Sequence, residues 1–158
     1  MFEKILVPLD GSDHSFKALD AAIEIAKRFT GKITLVHVYR VSATVDVNYE
    51  ASHEPGVPGT GVPVMTASEV SRLDRYASET GNSILSEGKR RVNAEKVEAE
   101  TTLRQGHVVE EISRIVEEGK FGLLVIGARG ISHFREMLLG SVTESLMHHV
   151  SCPILVVK

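Results

Sequence analysis

Residues 127–141 hold the densest chemistry in the chain. Gly127-Ala128-Arg129-Gly130 and Gly140-Ser141 stand with nine residues between them, a G-x2-G-x9-G-S spacing. Glycine tolerates positive φ and lets a backbone approach a ligand closely. Backbone N–H groups in such a loop can surround a phosphate. Ser141 and Glu144 fit the S-x-x-E capping box, which predicts a helix starting at Ser141. Its unpaired N–H groups and its dipole would favour an anion in the same loop. The Ser141 and Thr143 hydroxyls could bind phosphate oxygens or a metal ion. Three glycines and a capped helix could also make nothing more than a tight connection.

Other chemistries have less behind them. A Walker loop needs G-x4-G-K-[ST], and the dinucleotide loop needs G-x-G-x-x-G; the chain has neither. Without the Walker lysine, efficient phosphoryl transfer loses its usual charge clamp. A phospho-receiver domain would need an aspartate ending the third strand, where Thr101-Thr102-Leu103 stands. Candidate bases near the glycines are Asp10, Asp13 and His133, none with an evident nucleophile and orienting partner. Asp13 reads as a charge at a helix start, and His133 as a solvated loop residue. The seven histidines are scattered, and the adjacent His148 and His149 suit a helix C-terminus better than a metal. Cys152 reads as a buried, inert thiol.

The elements that must position these residues follow from hydrophobic spacing. Ile5-Leu6-Val7 with Leu9 is a nearly continuous apolar run, the mark of a buried parallel strand. Gly11-Ser12-Asp13 can cap the helix whose face is Phe16, Leu19, Ile23, Ala26 and Phe29, with Gly31 ending it. A second strand is predicted over 33–38, a long helix over about 67–92 and a third strand over 97–103. A helix over 108–119, a strand over 121–126, the helix from Ser141 and a strand over 154–157 complete the order. Strict alternation predicts a parallel sheet with helices on both faces and a ligand site beyond the strands' carboxyl ends. Residues 40–66, holding three of the five prolines, break the pattern and read as a long flexible insertion in a single domain.

Composition narrows the class. The 18 basic and 21 acidic residues leave a net charge of −3, which argues against a nucleic-acid binder. One cysteine excludes an internal disulfide and fits a reducing compartment. No apolar run approaches the roughly 18 residues of a membrane span. A cytoplasmic protein is expected. The apolar run at 154–157 would lie at a sheet edge, where pairing with a second copy would cover it.

Gly127, Gly130, Gly140 and Ser141 resemble the nucleotide-binding signature of the universal stress protein family. The opening Ile5-Leu6-Val7-Pro8-Leu9-Asp10-Gly11-Ser12 and the ending Cys152-Pro153-Ile154-Leu155-Val156-Val157 are similar to that family's first and last strands. Part of the family lacks these glycines and does not bind ATP; this chain retains them. The resemblance implies an open α/β sheet of five parallel strands, order 3-2-1-4-5, Rossmann-like and of the adenine nucleotide alpha hydrolase type. It implies that Asp10 contacts a ribose and that Pro8 and Val38 line an adenine pocket. Gly127, Gly130, Gly140, Ser141, Val142 and Thr143 match the phosphate-binding stretch, and Arg129 would offset phosphate charge or face solvent. ATP or AMP is the implied ligand, with Mg²⁺ or Mn²⁺ bridging its phosphates. A homodimer through Ile154, Leu155, Val156 and Val157 is also implied. The function implied is a nucleotide-dependent stress-response switch, with a slow Mg-dependent ATPase as the other reading.

Overall fold

The structure, a computed structural model, describes residues 2–41, 65–131 and 139–158. Strands and helices alternate: β1 (Lys4–Pro8), α1 (Asp13–Phe29), β2 (Lys32–Tyr39), α2 (Ala67–Ala94), β3 (Ala99–Gln105), α3 (Val108–Gly119), β4 (Leu123–Gly127), α4 (Ser141–His149) and β5 (Ile154–Val157). The sheet is parallel, in the order β3-β2-β1-β4-β5. At its centre, Ile5 pairs with Ile33 on one side and Leu123 on the other.

The apolar runs are continuous because both faces of the sheet are covered. Ile5, Val7, Leu9, Ile33, Leu35, Leu123 and Val125 pack with Leu19 of α1 and Leu85 and Val92 of α2. Their neighbours Leu6, Val36, Leu124 and Ile126 pack with Ile112 of α3 and Leu146 of α4. Successive side chains point to opposite faces, so one run serves two cores.

Helix α1 starts as the sequence predicts, with the extended Ser12 accepting the Ser15 N–H on Oγ at 3.2 Å. Its end differs from expectation. Thr30, not Gly31, takes the left-handed conformation (φ 53°), and Lys120 does the same after α3 (φ 50°). A side chain there costs roughly 1–2 kcal/mol, a cost that the packing of each helix offsets. Helix α2 opens with a capping box that the sequence reading missed: Thr66 Oγ1 accepts the Glu69 N–H, and Glu69 Oε2 accepts the Thr66 N–H at 2.8 Å. The Thr66 N–H and then the Thr66 hydroxyl, both donating to Glu69 Oε2, hold the Glu69 carboxyl below its ordinary value.

Gly81 and Gly88 do more in α2 than weaken it. A Cβ at 81 would lie 2.5 Å from His37 Cδ2, and one at 88 would lie 2.6 Å from Leu9 Cδ1. Two bare Cα positions thus let the helix lie close on the sheet. Closer contact offsets the propensity loss of about 1 kcal/mol per glycine.

The outer turn of α2 carries a charge cluster. Glu87 accepts from Arg90 at 2.9 Å and from Arg91 at 2.8 Å, and Arg91 lies 4.3 Å over the Phe16 ring. Bonds from Arg90 and then Arg91 pull the Glu87 carboxyl from an ordinary 4.5 down to about 2. A depressed carboxylate pKa stabilises the fold above the unfolded value, and that contribution fades as pH falls through the folded one. The melting-temperature advantage of the native chain over Glu87→Gln should therefore be constant above about pH 5 and shrink towards pH 2. A pH series of thermal melts measures this, and a gap constant over the whole range contradicts it.

Strand β3 begins two residues later than predicted and runs to Gln105. It is an edge strand with Glu100, Thr101, Arg104 and Gln105 exposed, so its apolar alternation is faint. Strand β5 forms the other edge over the predicted residues. Leu155 there is 36% exposed, while Ile154 and Val156 pack against the α3/α4 core. The insertion expected at 40–66 falls outside the described residues except at its ends, where Thr66 caps α2. Among the described residues no helix is long and apolar enough to cross a membrane.

Candidate functional site

A cavity of about 390 Å³ opens beyond the carboxyl ends of β1, β2 and β4. Pro8, Asp10, Val38, Gly127, Arg129, Gly130, Gly140, Ser141, Val142 and Thr143 all line it. A parallel sheet forces this convergence, because β1 and β4 are neighbours whose connections leave towards opposite faces.

Asp10 sits where β1 stops. Gly11 follows in the left-handed region (φ 86°), which turns the chain into Ser12 and α1. Asp10 Oδ1 accepts the Ser12 N–H at 2.9 Å, and Oδ2 accepts the Ile131 N–H at 3.0 Å. One carboxylate thereby joins the two walls of the crevice. Asp13 lies in the first turn of α1, exposed, and does not line the cavity. His133 lies outside the described residues.

None of the signature glycines stands at positive φ, and what a side chain would meet differs at each. Among the described residues only Gly11 and Gly106 are glycines in that region. At Gly127 a Cβ would lie 2.7 Å from the His14 carbonyl carbon, so α1 rests its backbone on the end of β4. At Gly130 a Cβ would collide with Asp10 Oδ2. At Gly140 a Cβ would meet nothing described closer than Ala128 O and Arg129 Cα, both at 3.5 Å.

Helix α4 does start at Ser141, but the predicted capping box does not form. Gly140 is the extended cap residue (φ −75°, ψ 152°), and no side chain caps the helix. Ser141 is already helical, so its hydroxyl no longer occupies the capping position. The first intrahelical bond is Glu144 N–H to Gly140 O at 3.0 Å. The N–H groups of Ser141, Val142 and Thr143 precede it and keep their anion-binding capacity. The Thr143 hydroxyl is committed elsewhere: it is 3% exposed and donates to Gly127 O at 2.9 Å. Half-buried Arg129 supplies positive charge on the same wall.

Pro8, Val36, Val38, Val108, Ile112 and Ile126 add an apolar lining to the cavity. Val108 and Ile112 were legible only as the apolar face of a helix, and nothing in their spacing marks a cavity. Leu9, Ser15, His37, Tyr39, Arg40 and Ile131 complete the lining. His37 Nδ1 lies 2.7 Å from Leu9 O. Burial, then nearby Asp74, pushes the Tyr39 phenol above its ordinary value. Asp74 also accepts from Gln105 at 2.9 Å, tying α2 to the end of β3.

Two residues considered for other chemistry stand apart. Cys152 is half-buried rather than buried, and burial raises its thiol pKa, which keeps it protonated at neutral pH. His149 donates from Nδ1 to Ser145 O at 2.7 Å in the last turn of α4, a helix-terminus contact. No group of three or more metal-ligating His, Cys, Asp or Glu side chains occurs among the described residues.

The fold and cavity can be set beside known proteins. The model of the universal stress protein family matches residues 1–158. Universal stress protein YxiE of Bacillus subtilis is 33% identical over 158 residues, covering all of both chains. The solved structure of universal stress protein UspA from Lactobacillus plantarum superposes with a TM-score of 0.81 at 21% identity, covering 99% of this chain and 98% of that one. A universal stress protein solved in complex with cAMP is 26% identical, with a TM-score of 0.67, covering 99% of this chain and 97% of that one. Matched from end to end by the family model, the chain belongs to the universal stress protein family.

Proposed function

We propose that the cavity binds an adenine nucleotide, ATP or AMP, and that the chain works as a nucleotide-dependent switch in a cytoplasmic stress response. One observation carries this reading. A carboxylate on the β1 side faces an uncapped helix start, and the residue before that helix is a glycine that the fold itself does not require. Asp10 would accept from ribose hydroxyls. Pro8 and Val38 would hold the adenine against the apolar lining. The backbone N–H groups of Gly130, Ser141, Val142 and Thr143 would receive the phosphates, with Gly127 shaping the turn and Arg129 balancing charge. The Ser141 hydroxyl is exposed and would add a donor to phosphate. The relative solved with cAMP supports an adenine nucleotide at this fold.

The residues also fit a divalent ion held mainly by phosphate and water oxygens, as Mg²⁺ usually is. When bound, Mg²⁺ or Mn²⁺ would neutralise phosphate charge. The chain's own part is to hold the phosphates by backbone N–H groups. The chain has no Walker lysine to clamp the phosphates, which favours binding with at most slow hydrolysis.

Calorimetric titration with ATP and with AMP tests the reading, together with mass spectrometry of nucleotide released from the denatured protein. Micromolar or tighter binding is expected; no heat and no released nucleotide would overturn it. Gly140→Ala sharpens the test. The new methyl fits an ordinary extended backbone and clears its neighbours, so stability should fall only by the cost of alanine at a helix cap, about 1 kcal/mol or less. It would stand beside Gly130 N, 3.7 Å away, and narrow the phosphate cradle. Affinity for ATP should fall at least about tenfold, a loss of about 1.4 kcal/mol.

Homodimerisation through Ile154, Leu155, Val156 and Val157 belongs to the same proposal. Leu155 is the sharper probe, because Val156 packs on the chain's own core. Leu155→Glu should weaken the dimer by about tenfold or more in sedimentation velocity, with the melting temperature of the monomer unchanged. An undisturbed dimer would remove strand β5 from the interface.

A further inference from the structure

We propose that His37 is a positioning residue for Asp10, acting through the carbonyl of Leu9; its role in binding rests on the nucleotide reading above. The β1–β2 ladder ends with Leu9 N–H donating to Val36 O at 2.8 Å. Backbone groups of successive strand residues point to alternate sides. Val36 therefore faces β1, while Tyr39, whose carbonyl accepts from Gly106 N–H at 3.0 Å, faces the β3 side. Val38 faces the β1 side, where β1 has already turned away. In a continued ladder, the Leu9 carbonyl would take the Val38 N–H. It takes the imidazole of His37 instead, at 2.7 Å.

A carbonyl only accepts, so His37 carries its proton on Nδ1. The consequence for Asp10 follows from covalent geometry. The Leu9 carbonyl belongs to the planar peptide that also holds the Asp10 nitrogen and Cα. Pinning that oxygen fixes the plane from which the Asp10 side chain springs. The pin is rigid because the imidazole is packed under α2, where a Cβ on Gly81 would lie 2.5 Å from its Cδ2. Leu9 is 2% exposed, which limits the access of water to its carbonyl. Asp10 then meets the Ser12 and Ile131 N–H groups with both oxygens. The same substitution leaves the Val38 N–H and C=O facing the cavity.

Two variants test the role. His37→Leu removes the donor, and His37→Asn retains an N–H close to the position of Nδ1. ATP and 2′,3′-dideoxy-ATP are titrated against both, since only ATP offers hydroxyls to Asp10. His37→Leu should weaken ATP about tenfold and dideoxy-ATP less than about threefold, while His37→Asn stays within about threefold of the native chain for both. Equal losses on the two nucleotides, or no advantage of Asn over Leu, would overturn the role. A second measurement needs no nucleotide: the Ile131 and Ser12 amides should exchange hydrogen faster in His37→Leu and at the native rate in His37→Asn. Unchanged exchange in His37→Leu would also overturn it. If the native chain binds neither nucleotide, the nucleotide reading fails and amide exchange alone decides the positioning. If His37→Leu does not fold, His37→Gln displaces the donor by one bond and takes its place in both experiments.

Discussion

Gly130→Val should abolish nucleotide binding and leave the chain folded. The sequence alone suggests that a side chain at 130 would fill the phosphate space. The structure gives a different cause. A Cβ at this position runs into Asp10 Oδ2, the oxygen that also accepts the Ile131 N–H. The carboxylate must swing away, and the bond between the two walls of the crevice goes with it. Losing a charge-assisted acceptor for ribose together with the phosphate cradle should cost more than about 3 kcal/mol, over a hundredfold in affinity. Folding survives because the obstacle is the end of a side chain, Gly130 is half-buried, and its φ is not positive. Calorimetry with ATP, paired with a thermal melt, checks both halves. A folded variant with native affinity would remove Gly130 and Asp10 from the site together.

Gly127→Ala should do the reverse and strike the fold. Its Cβ would lie 2.7 Å from the carbonyl carbon and 2.8 Å from the carbonyl oxygen of His14. Both belong to helical backbone, which cannot move aside as a side chain can. Gly127 is buried, and α1 caps the end of β4 at this point. Accommodating one methyl means lifting the first turn of α1 away from the sheet. Overpacking of this kind costs about 1–3 kcal/mol and occasionally more; with rigid backbone on the other side, about 3 kcal/mol is expected. Urea denaturation measures it, and a loss under about 0.5 kcal/mol would show that α1 yields easily. With Gly140→Ala, the two variants divide one glycine signature into three duties: helix packing at 127, clearance for a carboxylate at 130, and open space for a ligand at 140.

Much of this was legible in the order of residues. Apolar runs at 5–9 and 123–126 marked buried strands because parallel strands are covered on both faces. Strict alternation implied the sheet, and the sheet implied where ligands bind. Capping was less legible. Thr66-Ala67-Ser68-Glu69 and Ser141-Val142-Thr143-Glu144 share one pattern, yet only the first forms a box. The difference lies in which residue is extended, and Gly140 takes that role ahead of Ser141. Strand β3 was misplaced by two residues because an edge strand with exposed polar positions has little hydrophobic alternation to read.

The sequence by itself determined the local terms: which segments are apolar with which period, where glycines stand, and that nine residues separate Gly130 from Gly140. Period and propensity are properties of neighbours in the chain, so they survive without a fold. Only the tertiary structure decided why each glycine is there, that Asp10 spans to Ile131, that the Thr143 hydroxyl is committed to Gly127, and that His37 takes the Leu9 carbonyl. Each of these is a contact between segments distant in sequence, set by strand order and by how closely helix and sheet approach. No spacing rule encodes such distances, because they exist only once the sheet has brought the ends of β1, β2 and β4 together.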